Sequence, residues 1–213
     1  METLSEAPSA AKAEGYYVAT NMNNGVQMGY DWFAVRQVDD GLLVESRHTI
    51  FGPSPIPVQH ARFEMDADWT PRRLEVKADE VASLLMEFSD DAISISTRSQ
   101  QGERTMNYPF GRRRAFVLLN GGLYFPLHIV RRFNYDDPQP QQFNIVPGGI
   151  CEVRRLDDFV EDGRTYRLLE MRVFVNGSDD IVRLVINGRG DLERYQTRNM
   201  NLLVKLEERG NVC

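Results

Sequence analysis

The stretch from Val26 to Phe51 reads VQMGYDWFAVRQVDDGLLVESRHTIF, and it decides the fold. Residues that favour β-strands fill both halves, and Asp39–Gly41 lies between them. An Asp-Gly pair tolerates the positive φ angles of a tight hairpin turn. The stretch therefore predicts two antiparallel strands, Val26–Val38 and Leu42–Phe51, joined by a short turn.

The same alternation of β-prone segments and turns recurs along the chain, about every 10–15 residues. The proline-rich segment Gly52–Pro57 predicts a loop or a sheet edge, since proline lacks the backbone donor that a central strand needs. No glycine-rich phosphate loop or strand–helix alternation occurs, which argues against a doubly wound α/β fold. Further strands are predicted at Tyr16–Thr20, Val58–Asp66, Arg72–Ala78, Ala82–Phe88, Ala92–Arg98, Glu103–Tyr108, Phe116–Leu119, Phe143–Pro147, Ile150–Leu156, Tyr166–Val175, Ile181–Asn187, Leu192–Arg198 and Leu202–Leu206.

One segment breaks this pattern. Leu123–Phe133 reads LYFPLHIVRRF, and its apolar residues have the spacing of one helix face. Pro126 would then lie in the first turn, where proline is tolerated. A short helix is the favoured interpretation, and a strand is the alternative.

The chain of 213 residues, with 42% hydrophobic and 26% charged residues, has the composition of an ordinary globular protein. We predict an all-β fold, an antiparallel meander rolled into a barrel or half-barrel, with one short helix. A single β-barrel-like domain is expected at residues 15–208. Residues 1–14 are expected to form a flexible tail, because they are rich in Ala, Ser, Glu and Pro. Residues 209–213 are expected to be flexible because chain ends fray.

Net charge and hydropathy argue against nucleic acids as partners and against a membrane-spanning helix. Asp and Glu number 31 against 25 Lys and Arg, a net charge of −6, which disfavours a nucleic-acid binder. No apolar run approaches the roughly 18 residues of a membrane-spanning helix. The segment Met1–Glu14 has no basic or apolar region typical of a secretory signal, so a cytoplasmic location is expected. The open edges of a rolled sheet would allow a homodimer.

Metal and cofactor sites are not expected. The two cysteines, Cys151 and Cys213, cannot form a structural zinc site alone, and a buried thiol is the favoured interpretation of Cys151. The three histidines show no close metal-binding spacing. Five adjacent aspartate pairs fall at predicted turns, where aspartate caps the backbone, so we interpret them as architectural.

Binding residues are expected where polar or aromatic side chains lie on β-strands that also carry apolar ones. A few polar groups on an apolar face are typical of a pocket for a hydrophobic small molecule, although a filled core with satisfied polar groups gives the same pattern. Arginine is abundant, with 22 residues against 3 lysines, and a guanidinium could pair with an acidic head group. The candidate ligand-binding residues are Trp32, Tyr30, Phe63, Arg47 and Arg131.

Candidate catalytic residues come from the predicted helix and one strand. Tyr124 and His128 lie four residues apart, so they would share a helix face. If that face points into the concave side of the sheet, they could transfer protons, as could His48 on the strand Leu42–Phe51. If the face points to solvent, they have no such role.

Two segments resemble the bacterial proteins classed as glycolipid-binding. Phe63–Val76, FEMDADWTPRRLEV, resembles their strand, Asp-x-x-Trp turn, arginine and strand. Phe125–Phe133 is similar to their apolar, proline-containing stretch with an arginine pair. The turns Asp39–Gly41 and Gly188–Asp191 look like those of the curved sheet of lipoprotein carriers, whose signal peptide and lipobox are absent here. The resemblance implies a curved antiparallel sheet that binds an amphipathic or lipid-like molecule.

Three functions remain open. The first is a binding protein for a hydrophobic or lipid-like molecule held in the concave side of the sheet, without a cofactor. The second is a cofactor-free cyclase, isomerase or hydratase that acts on a terpenoid- or polyketide-like substrate in the same cavity. The third is an interaction protein with a filled core.

Overall fold

The computed structural model describes residues 11–51, 58–78, 82–118, 125–175, 177–198 and 202–207, and the side chains at 11–13, 125 and 207 are outside the description. Within these residues the chain forms strands, one α-helix, α1 (Phe125–Arg132), and a 3-10 turn at Arg112–Arg114. The strands are β1 (Ala11–Asn21), β2 (Gln27–Val38), β3 (Gly41–Ile50), β4 (Gln59–Asp66), β5 (Pro71–Ala78), β6 (Ala82–Phe88), β7 (Ile93–Ser99), β8 (Gly102–Tyr108), β9 (Ala115–Val117), β10 (Gln141–Val146), β11 (Ile150–Arg155), β12 (Phe159–Glu161), β13 (Arg164–Val175), β14 (Ser178–Ile186), β15 (Leu192–Thr197) and β16 (Leu202–Glu207).

The strands form one large curved sheet that is not closed. Their order is β8-β7-β6-β5-β4-β3-β2-β1-β16-β15-β14-β13-β11-β10-β9, with β12 paired to β13 off this path. Every pairing is antiparallel except that of β9 with β10. The first and last described strands, β1 and β16, pair in the middle of this order, so the two halves of the meander share one sheet.

The core lies on one face of this sheet, which we call the inner face. Val35, Val44, Phe63, Leu74, Met86 and Ile95 form a continuous row of directly opposed, buried side chains across β2–β7. Helix α1 packs on the inner face, because the His128 ring contacts the Phe63 ring edge-on at a centroid distance of 5.6 Å. The opposite side of the sheet is the outer face. Strand alternation places residues such as Trp32 there.

Helix α1 also covers the edge strand β9. The Val117 N–H donates to Nε2 of His128 over 3.5 Å, and Arg132 Nη1 donates to the Ala115 carbonyl over 2.5 Å. Unpaired backbone N–H and C=O groups on an edge strand can pair with a strand of another chain and cause aggregation. The side chains of α1 bind some of these groups and so protect this edge. At the other end of the sheet, β8 is an exposed edge strand with mostly polar side chains.

The predicted fold class is confirmed, and the helical interpretation of the segment around Pro126 is correct. The segments 52–57, 119–124 and 208–213, which include the predicted proline loop and the start of the predicted helix, lie outside the described residues. Strand β1 begins at Ala11, inside the segment 1–14 that was expected to be a tail. Strand β12 was not predicted. Among the described residues, no helix has the length and apolar composition of a membrane span.

Candidate functional site

A row of five side chains crosses the outer face of β1–β5. Tyr16, Trp32, Arg47, His60 and Lys77 are direct cross-strand neighbours in that order, one from each strand. Neighbouring strands lie about 4.8 Å apart, so the row spans about 20 Å. It runs from two aromatic rings to three basic side chains.

A groove of about 880 Å³ follows this row. Its size is within the range of small-molecule sites. It is lined by aromatic, aliphatic, polar and charged residues of β1–β5, namely Tyr16, Val18, Gln27, Tyr30, Trp32, Glu45, Ser46, Arg47, His60, Ala61, Arg62, Glu75 and Lys77. We call it the outer groove.

The aromatic end of the outer groove is held by two contacts. The Trp32 indole N–H donates to Oε1 of Glu14 over 2.9 Å, which fixes the ring on the half-buried surface. The Tyr30 ring lies 5.8 Å from the ring of Phe51, which is 44% exposed. Phe51 therefore extends the apolar surface beyond the groove. Such rings offer large contact area at low conformational cost.

The basic end is partly neutralised. Lys77 pairs with Glu75 over 2.9 Å, and this hydrogen bond holds the pKa of Glu75 below its ordinary value. Arg62 pairs with Glu64 over 3.3 Å. Arg47 is exposed and has no ion pair among the residues that the structure describes. The outer groove thus combines an aromatic end with one surplus guanidinium.

A buried polar pair lies on the inner face of the same strands. His48 on β3 opposes Asp31 on β2, and Nδ1 of the imidazole is 3.7 Å from Oδ2 of the carboxylate. Burial lowers the pKa of His48 to about 4, so the ring is neutral at pH 7. Neither ring nitrogen has a hydrogen-bond partner in the described part of the chain. This pair could transfer a proton only to a molecule that reaches the inner face.

The other catalytic candidates are placed differently. His128 is 2% exposed, and its ring lies between Phe63 and Phe116. Its Nε2 accepts the backbone N–H of Val117, which gives the ring a structural contact at the covered edge. Tyr124 lies outside the described residues. The structure therefore does not bring His48 and His128 into one described site.

The candidate binding residues divide between the two faces. Trp32, Tyr30 and Arg47 line the outer groove, whereas Phe63 is a core residue. Arg131 lies at the end of α1, where it pairs with Asp191 and packs over the ring of Trp69 at 5.7 Å from its centroid.

The contacts of Arg131 join α1 to two turns. Trp69 belongs to the Asp-x-x-Trp turn, Arg131 to the arginine pair, and Asp191 to the turn 188–191. These contacts hold α1 against the two turns.

Cysteine and metal chemistry have little support in the described residues. Cys151 is buried, and burial raises the pKa of its thiol, which lowers its reactivity. In the described ranges, no three His, Cys, Asp or Glu side chains are close enough to hold a metal ion.

Sequence reasoning missed several members of both sites. Tyr16, His60 and Lys77 were not singled out as groove residues, and Asp31 was not recognised as the neighbour of His48. The register of the β2–β3 hairpin would have identified Asp31 as the residue opposite His48. Because β2 and β3 are joined by a two-residue turn, the numbers of opposed residues add up to 79 in every pair, as for Asp31 and His48.

Comparisons with known proteins give little further information. No family model matches the chain, and no curated protein matches it. Among solved structures, the chain is similar to a DUF1089 family protein from Pseudomonas aeruginosa, with 17% sequence identity and a TM-score of 0.39. The match covers 76% of this chain and 86% of that protein. A similarity of this size identifies neither the family nor the function of this chain.

Proposed function

We propose that this protein is a binding module for an amphipathic, lipid-like molecule, which it holds in the outer groove. The observation that carries the proposal is the row in which Tyr16 and Trp32 adjoin the exposed cation Arg47. Aromatic faces bury apolar groups and sugar rings, and the guanidinium offers a specific polar contact. The aromatic end of the groove would therefore supply affinity, and the guanidinium of Arg47 would orient the ligand.

The sequence suggested the concave side of the sheet as the ligand site. In the described residues, apolar side chains and α1 fill much of the inner face, as the row through Phe63 illustrates. The proposal therefore places the ligand on the outer face. A glycolipid is a suitable ligand class, because the resemblance of Phe63–Val76 to glycolipid-binding proteins agrees with a ligand that has both a sugar and an apolar tail.

Isothermal titration calorimetry with octyl-β-D-glucoside below its micellar concentration tests this proposal. We expect saturable binding that Trp32→Ala weakens by about tenfold or more, as for a central aromatic contact. Trp69→Phe is the matched control, because Trp69 contacts Arg131 and does not line the groove. If neither this detergent nor any other single-chain amphiphile binds saturably, the proposal is contradicted and an interaction protein is favoured.

A cofactor-free cyclase, isomerase or hydratase is the second candidate, and the buried pair of Asp31 and His48 favours it. A neutral imidazole beside a carboxylate can act as a general base. Incubation with terpenoid and polyketide precursors, followed by mass spectrometry, would detect the product. Loss of turnover in His48→Gln with retained binding would support catalysis. Equal turnover in the variant and the wild type would exclude a role of His48.

Location and assembly also remain proposals. We propose a cytoplasmic location for the protein. We also propose that two copies can pair through the exposed edge strand β8, and light scattering at several protein concentrations would detect this dimer.

A further inference from the structure

Arg47 differs from the other basic residues of the outer groove. Arg62 and Lys77 each have a carboxylate partner on their own strand. Arg47 is exposed, and no ion pair of it occurs within the described ranges. Its neighbours across the sheet are Trp32 on one side and His60 on the other, so no acid opposes it.

Two acids of the groove, Glu45 and Glu75, are already engaged by other cations. Glu45, two residues before Arg47 on the same strand, pairs with Arg36 over 3.1 Å. Glu75 pairs with Lys77 over 2.9 Å. With respect to the described residues, the guanidinium of Arg47 therefore has its charge-assisted hydrogen bonds available for a ligand, and the exposed His60 lies directly beside it.

We infer that the ligand of the outer groove is anionic, with a carboxylate, phosphate or sulfate bound by Arg47 and His60 and an adjacent ring stacked on Trp32. This inference rests on the proposed function. A guanidinium binds such groups through two parallel hydrogen bonds. Trp32 and Arg47 are opposed residues on neighbouring strands, with Cα atoms about 5 Å apart. The ring and the anion are therefore expected to belong to one compact head group, as in an acidic or phosphorylated sugar.

The acidic sugar could be the head group of a lipid or a free sugar acid. Phe51 favours the lipid, because its exposed ring continues the apolar surface from Tyr30 beyond the sugar-sized part of the groove. The tail of a glycolipid would lie along these two rings.

Calorimetry with two matched detergents tests the inference. Octyl-β-D-glucuronide and octyl-β-D-glucoside have the same alkyl chain and sugar ring. They differ only at C6, which is a carboxylate in the glucuronide and a hydroxymethyl group in the glucoside. We expect the wild type to bind the glucuronide about tenfold more tightly. Arg47→Gln should remove this preference, so that the variant binds the two detergents with similar affinity. Arg47→Lys should keep part of it, because the charge remains without the planar fork.

Arg104→Gln is the control variant, since Arg104 is exposed on β8 and does not line the groove. It should keep the full preference for the glucuronide. Equal wild-type affinity for both detergents would overturn the anionic ligand and leave the proposed function intact. If the wild type binds neither detergent, the anionic ligand and the proposed function are both overturned. Free glucuronate that binds as tightly as its octyl derivative would support the anion site and identify a soluble sugar acid as the ligand.

Discussion

At the scale of single residues, the register of one hairpin decides which chemical groups meet. The two-residue turn between Val38 and Gly41 places Trp32 opposite Arg47 on the outer face and Asp31 opposite His48 on the inner face. A longer turn would shift every partner, and a one-residue slip would also exchange the faces. The groove and the buried pair therefore both depend on the two-residue turn of Asp39 and Asp40.

The buried imidazole of His48 makes stability depend on pH. Its pKa is about 4 in the folded protein, against an ordinary value of about 6.5 in an unfolded chain. Between these values the unfolded chain binds a proton that the folded protein does not bind. The free energy of unfolding therefore falls as pH is lowered from about 6.5 towards 4. We expect His48 to account for a loss of about 2–3 kcal/mol by pH 4.5.

Urea unfolding at pH 7 and pH 4.5 measures this loss. His48→Gln should lose less stability than the wild type between the two values, whatever its stability at pH 7. His60→Gln is the control, because His60 is exposed, and it should follow the wild type. An equal pH-dependent loss in His48→Gln and the wild type would show that burial of His48 has no such cost.

At the scale of elements, ion pairs join the hairpin turns. The carboxylate of Asp66 accepts hydrogen bonds from Arg72 and, over 2.8 Å, from Arg112. Arg72 also binds Asp40, and Arg112 binds Asp90, and these contacts lower the pKa values of both aspartates. Asp40, Asp66 and Asp90 lie at the ends of three successive hairpins.

Asp66→Asn should therefore destabilise the protein by about 1–3 kcal/mol, because it removes the charge that both guanidiniums share. Urea unfolding at pH 7 measures the change. Asp91→Asn is the control, since Asp91 is exposed at one of these turns, and its change should stay within about 0.5 kcal/mol. Equal effects of the two substitutions would contradict the role of Asp66 in joining the turns.

Much of the element level could be predicted from sequence, because period-two alternation and turn residues are local signals. Ala82–Phe88 is a strand with the predicted bounds. The missed strand β12 shows where this fails, because its three residues lie inside a segment rich in turn formers. It pairs with β13 across Asp162 and Gly163, which have the positive φ angles of a tight turn. The Asp-Gly pair was the available signal.

At the scale of the whole molecule, the faces of the strands could not be assigned from the sequence. Alternation places Trp32 and Phe33 on opposite faces, but it does not say which face α1 covers. That choice depends on how the sheet curves and on long-range contacts such as that of His128 with Phe63. For this reason the sequence could suggest Trp32, Tyr30 and Arg47 as binding residues without locating the groove that they line.

The open sheet also separates the proposed roles of its two faces. The inner face holds the core and the helix, so its substitutions should change stability first. The outer groove contributes half-buried and exposed side chains, such as Trp32 and Arg47, whose substitution should change binding with smaller effects on folding.

The central claim is that the ligand contacts the outer groove, and the two indole N–H signals of the protein test it most directly. The chain has two tryptophans, Trp32 in the groove and Trp69 beside Arg131, and the variant Trp69→Phe assigns the signals. In nitrogen-15 correlation spectra recorded during titration with octyl-β-D-glucuronide, we expect the Trp32 signal to move to saturation while the Trp69 signal stays in place. Saturable binding that moves the Trp69 signal and leaves the Trp32 signal unchanged would contradict the account.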